Sequence, residues 1–120
     1  MSSMNVLSQE PTYYHVATFT KSYHDALGIN IAAQVANTEW STRGGKNVGE
    51  SRLWQNDWII LGGRFYNEEN YWDYFNANSG QSFESVNFIT QVPIPWGTIT
   101  VNNLQSTVNT FVYPNSASAF

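Results

Sequence analysis

From Tyr13 to Tyr113 the chain repeats one local design: a short run of β-branched and aromatic residues, closed by a cluster of Gly, Pro, Asn or Ser. Two runs show the strand period of two plainly. In YYHVATFTK, Tyr13, His15, Ala17 and Phe19 fall on one face and Tyr14, Val16, Thr18 and Thr20 on the other. In FESVNFITQV, Glu84, Val86, Phe88, Thr90 and Val92 oppose Phe83, Ser85, Asn87, Ile89 and Gln91. The pattern predicts about seven or eight strands at roughly 8–12-residue spacing, the signature of a sandwich or barrel. No internal repeat, heptad or βαβ unit is visible. The expectation is an all-β, single-domain antiparallel β-sandwich, jelly-roll-like, over residues 1–120. Residues 1–12 form an N-terminal arm and 115–120 a C-terminal tail.

The punctuation assigns the connections. Ser22 to Gly28 reads as a loop or a single helical turn stopped at Gly28, and Ile29 to Val35 as a strand although Ala32-Ala33-Gln34 also suits helix. Glu39 to Glu50 is a loop whose Gly44-Gly45 tip makes a hairpin. Asn76 to Ser82 is a further loop, and PIPWG (93–97) ends the strand before it because Pro cannot donate to a ladder. Asn102-Asn103 is read as a hairpin turn, since Asn tolerates positive φ. The continuous apolar run of Asp57 to Arg64 predicts a strand buried on both faces, with Trp54, Trp58 and Phe65 in the core. Gly62-Gly63 marks a bulge or a close backbone approach. Phe65 to Phe75 reads as a strand from its ring content.

Composition narrows the function. The net charge of −4 and the absence of a basic stripe argue against nucleic acid and anionic membrane surfaces. With no Cys there are no disulfides and no thiolate zinc sites. No apolar stretch approaches the length of a membrane span, and no secretory signal is visible. These features predict no membrane insertion and cytoplasmic synthesis, with release or incorporation into an assembly left open. Only 12% of residues are charged, so Asn, Ser, Thr and Gln carry the polarity, alongside an aromatic content of 16%. Rigid rings beside short adaptable polar groups are a binding-surface composition. In size, acidity and aromatic richness the chain resembles lectin-like β-sandwiches.

Catalytic constellations are thin. There is no G-x-S-x-G elbow, P-loop or H-E-x-x-H, and His15 and His24 read as strand and loop residues. Asp57, Glu68, Glu69, Asp73 and Glu84 read as surface and strand-end charge instead of a glycosidase pair. No EF-hand spacing gathers the oxygens that Ca²⁺ needs. Gly44-Gly45-Lys46 lacks the full phosphate-loop spacing and reads as the hairpin tip. The expectation is no enzyme, no metal and no cofactor.

The segment Asn70-Tyr71-Trp72-Asp73-Tyr74 is the richest in binding chemistry. A sugar ring stacks its CH-rich face on an aromatic while its hydroxyls satisfy amides and carboxylates. Asn76, Asn78 and Gln81 in the following loop could complete such a site, and Trp96 between Pro95 and Gly97 is a second platform. Trp72 and Trp96 read first as core or subunit-interface residues and only second as ligand platforms. The reading is a non-enzymatic carbohydrate-binding domain that takes glycans and works as a homo-oligomer. The alternative is a structural self-assembling subunit of a virion, tail or filament.

Overall fold

The computed structural model describes residues 10–25, 27–60 and 62–120, the side chains of 91–94 and 97–102 aside. It is all-β, with no helix among the described residues and two antiparallel sheets of four strands each. The first sheet holds β1 (Tyr13–His24), β2 (Asn30–Arg43), β3 (Lys46–Gln55) and β4 (Trp58–Ile59). The second holds β5 (Gly63–Phe75), β6 (Gly80–Ile94), β7 (Gly97–Tyr113) and β8 (Ser116–Ala119). In the first sheet the order is β1-β2-β3, with β4 also pairing β2, beyond the end of β3. In the second it is β5-β6-β7-β8. Apart from β4, strands therefore pair in chain order, as two meanders, where a jelly roll would need Greek-key crossovers.

Gly44 and Gly45 adopt φ of 58° and 75° and turn β2 into β3, the left-handed pair that a tight hairpin requires. Gly63 opens β5 where a Cβ would lie 2.5 Å from Ile59 Cδ1, so this position is a close approach between the sheets. Asn67, at φ 53°, sits in a bulge of β5 between Tyr66 and Glu69. Its short side chain tolerates that conformation.

Several connections differ from the sequence-based expectation. The turn after β6 is Pro95-Trp96, and Asn102-Asn103 lie within β7, opposite Thr90 and Ile89. Pro93 is accommodated because β5 pairs β6 only as far as Thr90, so the hairpin beyond has free edges. The tail is a strand, Thr110–Tyr113 pairing with Ser116–Ala119. Trp58 and Phe65 are not core residues: they are 41% and 44% exposed. β4 is only two residues long and β5 is an edge strand, so neither is covered on both faces. Trp54 is half-buried, with the Arg52 guanidinium 4.3 Å above its ring. Leu61 lies outside the described residues.

What fills the space between the sheets is unusual. The apolar cluster is small: Ala32, Val86 and Phe88, with Tyr23 and Ile59 packed against it. Along the rest of the interface the buried side chains mix apolar residues (Ala36, Trp40, Val108 and Val112) with amides, hydroxyls and one acid. Tyr23 Oη donates to Ser106 Oγ (2.6 Å), which donates to Gln34 Oε1 (2.6 Å). Gln34 Nε2 donates to the Glu84 carbonyl (2.9 Å) and to Gln55 Oε1 (3.1 Å). Gln55 Nε2 continues to the Ser85 carbonyl (3.0 Å) and Asn70 Oδ1 (2.8 Å). Thr38 Oγ1 donates to Glu84 Oε1 (3.0 Å) and stands 3.0 Å from Ser82 Oγ. Lys21 Nζ donates to the Thr107 carbonyl where β1 passes β7. Satisfied polar groups of this kind hold sheets in one register, because a slip would leave each of them unpaired in a low dielectric.

Glu84 is the acid in this seam and is fully buried. Burial pushes its pKa up from 4.5 to about 8, against the hydrogen bond from Thr38, which lowers it. Its Oε2 has no partner among the described residues, and an unpaired buried oxygen costs less on a neutral acid than on a carboxylate. Asp57, at the β3–β4 corner, accepts from the Val35 amide and is raised by burial to about 6. Between its unfolded and folded pKa each acid holds its proton longer in the native state. Stability is therefore fully present below about pH 4 and falls as pH rises toward about 8. Each pKa unit corresponds to about 1.4 kcal/mol, so Glu84 alone makes the loss on the order of a few kcal/mol. Urea denaturation at pH 5 and pH 9 should show that loss in the wild type. Glu84→Gln should remove most of the slope and be the more stable protein at pH 9; an unchanged slope would place the titration elsewhere.

Candidate ligand-binding face

The seam fixes which side of β6 looks outward. Ser82, Glu84 and Val86 face the first sheet, so Gln81 and Phe83 face away from it. Register then carries that phase across all four strands. Tyr71 pairs with Phe83, Phe83 with Asn109, and Asn109 exchanges both backbone hydrogen bonds with Phe120. One step along, Tyr74 pairs with Gln81, Gln81 with Phe111, and Phe111 with Ser118. These are two adjacent cross-strand rows on one face. Three strand spacings of about 4.8 Å make the patch about 15 Å wide.

The rings in it form two stacked pairs. Tyr71 and Phe83 lie 4.8 Å apart between centroids at 26°, and Phe111 and Phe120 5.4 Å apart at 25°. Between them Gln81 Nε2 donates to Asn109 Oδ1 at 3.4 Å. Tyr71 and Tyr74 are 47% and 40% exposed, so their rings and hydroxyls are open to a ligand. A second residue in β5 opposite Gln81 adds to the layout: the bulge between Trp72 and Tyr74 inserts Asp73 and brings Tyr74 onto the same face as Tyr71.

The nine residues singled out from the sequence divide. Tyr71, Tyr74 and Gln81 come together on this face, with Asp73 exposed at the bulge beside them. Asn70 and Trp72 point the other way, on the inner phase of β5. Asn70 is tied to Gln55, and Trp72 Nε1 donates to the Ser51 carbonyl of β3 at 3.4 Å while its ring meets Phe75 edge-on. Trp72 thus closes one side of the sandwich. Asn76 Oδ1 accepts from the amides of Asn78 and Ser79 and shapes the β5–β6 turn, and Asn78 Oδ1 accepts from Lys46 Nζ. Trp96 is 84% exposed at the tip of the β6–β7 hairpin. It is about 50 Å along the strand from Gln81 at strand rise, so the two belong to no common site.

Phe83, Asn109, Phe111 and Phe120 were not singled out. Phe83 and Gln81 share a strand phase, as do Asn109 and Phe111, so periodicity held part of the signal. The cross-strand register that unites them is tertiary information.

Among the candidate acids, Asp57 and Glu68 lie near enough to Glu84 to add to the rise that burial gives its pKa, and Glu68 does the same for Asp57. No group of three or more His, Asp or Glu residues suited to a metal occurs among the described residues. Glu84 and Asp57 have raised pKa values, yet Glu84 is sealed in the seam and neither lines the cleft around Tyr23, Ala32 and Phe88. His15 Nε2 lies 2.7 Å from Thr42 Oγ1 and its ring packs on Trp40 at 5.2 Å, a strand role. No family model matches the chain, and no significant match is found among curated proteins or solved structures.

The different placement of neighbouring rings is measurable. Tyr71→Ala removes one stacked pair from an open face and should cost about 1 kcal/mol. Trp72→Ala removes a half-buried ring that closes the sandwich edge and should cost about 2 kcal/mol or more. Equal costs in urea denaturation would contradict this division of roles.

Proposed function

We propose that the chain is a non-enzymatic carbohydrate-binding module, lectin-like in action, whose platform is the outer face of the second sheet. The observation that carries this reading is the pairing of open ring faces with amides in fixed cross-strand register. Tyr71–Phe83 and Phe111–Phe120 offer apolar planes, with Gln81 and Asn109 set between them. Pyranose rings suit such a surface: CH faces lie on the rings, and hydroxyls take the amides and the Tyr71 and Tyr74 hydroxyls. The patch is wide enough for a short oligosaccharide and lacks a charged pocket. Neutral glycans are therefore the ligand class. An open face of this kind binds each glycan weakly, and a homo-oligomer would gain strength by presenting several copies.

A second reading, a self-assembling structural subunit, has its own support. β1 pairs only with β2, so the other edge of this twelve-residue strand is free among the described residues. Such an edge is a template for strand addition. The molecule is also long and thin, 78 × 25 × 20 Å, with Trp96 exposed on a projecting hairpin. The two readings differ in which residues matter.

A glycan array followed by calorimetric titration with the hits tests the first. Wild type should bind one or more neutral oligosaccharides, and Tyr74→Ala should weaken binding about tenfold or more, since a lost stacking and hydroxyl contact is worth about 1.4 kcal/mol or above. Trp96→Ala should leave glycan binding unchanged. If no glycan binds, the reading fails. If Trp96→Ala instead converts an assembly to monomers in sedimentation, the structural reading takes its place.

A further inference from the structure

At the end of the sandwich away from the β5–β6 turn, the sheets part and leave a cleft of about 500 Å³. Its floor is the apolar cluster: the Tyr23 and Phe88 rings, Ala32 and Ile59. Ile31 and Leu104 wall it. Ala32 ends at Cβ, and the Tyr23 and Phe88 rings lie 6.1 Å apart, tilted 54° to each other. The volume lies within the range of pockets that enclose small organic ligands.

The rim is polar and its hydrogen-bonding capacity is partly uncommitted. Asp25 Oδ1 accepts from the amides of Leu27 (2.8 Å) and Ile29 (3.0 Å), which leaves Oδ2 free among the described residues. Asn103 shares the outward phase of Asn109 and bonds the Tyr66 hydroxyl on that face, so its amide is turned away from the cleft. The rim thus offers an acceptor at Asp25. A hydroxyl donates to it, and an anion meets it unfavourably.

We infer that this cleft binds a small neutral molecule with a flat apolar body and a hydroxyl head, the body over Ala32 between Tyr23 and Phe88 and the head donating to Asp25. The cleft lies on the interior side of the sheets, away from the Tyr71–Phe120 face, so it is independent of glycan binding.

Calorimetric titration with 2-naphthol and 2-naphthoate at pH 7 tests this, because the two share a ring system and differ in the head. One 2-naphthol should bind per chain, and 2-naphthoate should bind about tenfold more weakly or worse. Asp25→Asn keeps an oxygen for the Leu27 and Ile29 amides and should bring the two probes to within about threefold. Ala32→Phe fills the floor and Leu104→Trp fills the wall from its exposed side. Each should abolish binding, and the second keeps the test alive if the first does not fold. Absence of 2-naphthol binding to wild type, equal binding of the two probes, or binding that survives in a folded filled variant would each overturn the inference. So would a dimer that Leu104→Trp dissociates and 2-naphthol does not displace, which would give the cleft to a second copy.

Discussion

The structure depends on a seam of buried hydrogen bonds between its two sheets. Tyr23, Ser106, Gln34, Gln55, Thr38, Ser82 and Glu84 form it, and it crosses from β1 and β2 to β6 and β7. Most β-sandwiches rely on interdigitated apolar side chains in this position. Here the contiguous apolar cluster is Ala32, Val86 and Phe88, and Ala36, Trp40, Val108 and Val112 alternate with polar residues along the inward faces of β2 and β7. Each hydrogen bond contributes only about 1 kcal/mol net, but breaking one partner away leaves the other buried and unpaired, which costs more. The seam therefore specifies alignment more strongly than it adds stability. A hydrophobic interface of similar area would tolerate sliding; Gln34 against the Glu84 carbonyl does not.

That alignment determines the outer surface. With Ser82, Glu84 and Val86 turned inward, Gln81 and Phe83 have no choice of side. Cross-strand pairing then collects Tyr71, Tyr74, Asn109, Phe111 and Phe120 around them. The chain is in part inside out: amides and hydroxyls fill the middle, and rings stand on the surface. The same cause opens the far end. Past the seam, the interface has only the small apolar cluster to close it, and around Ala32 it does not close.

Much of the fold was legible in the sequence, for reasons that are local. Alternation in Phe83 to Val92 and the Gly44-Gly45 tip report backbone geometry directly, and both strand and hairpin are present. Errors arose where burial had to be inferred from residue type. Trp58 and Phe65 were assigned to the core because large rings usually are buried, but they lie on a two-residue strand and an edge strand. Glu84 was counted as surface charge because acids usually are exposed, yet it sits in the seam. In the candidate site, Tyr71, Tyr74 and Gln81 were visible as ring and amide chemistry. Trp72 was grouped with them by proximity in sequence, although a strand sends neighbours to opposite faces. Phe120 was read as tail because SASAF has no strand pattern of its own; its place comes from pairing with β7.

The orientation of β6 is the point on which the seam, the exposed ring face and the cleft all turn, and the Glu84 carboxyl reports it. A ¹³C NMR titration of protein labelled at the glutamate side-chain carboxyl shows all six glutamates, and the Glu84 signal is assigned by its loss in Glu84→Gln. A midpoint near 8 is the expected result. A midpoint near the ordinary 4.5 would put Glu84 in solvent, turn Gln81 and Phe83 inward, and remove the basis for the binding face.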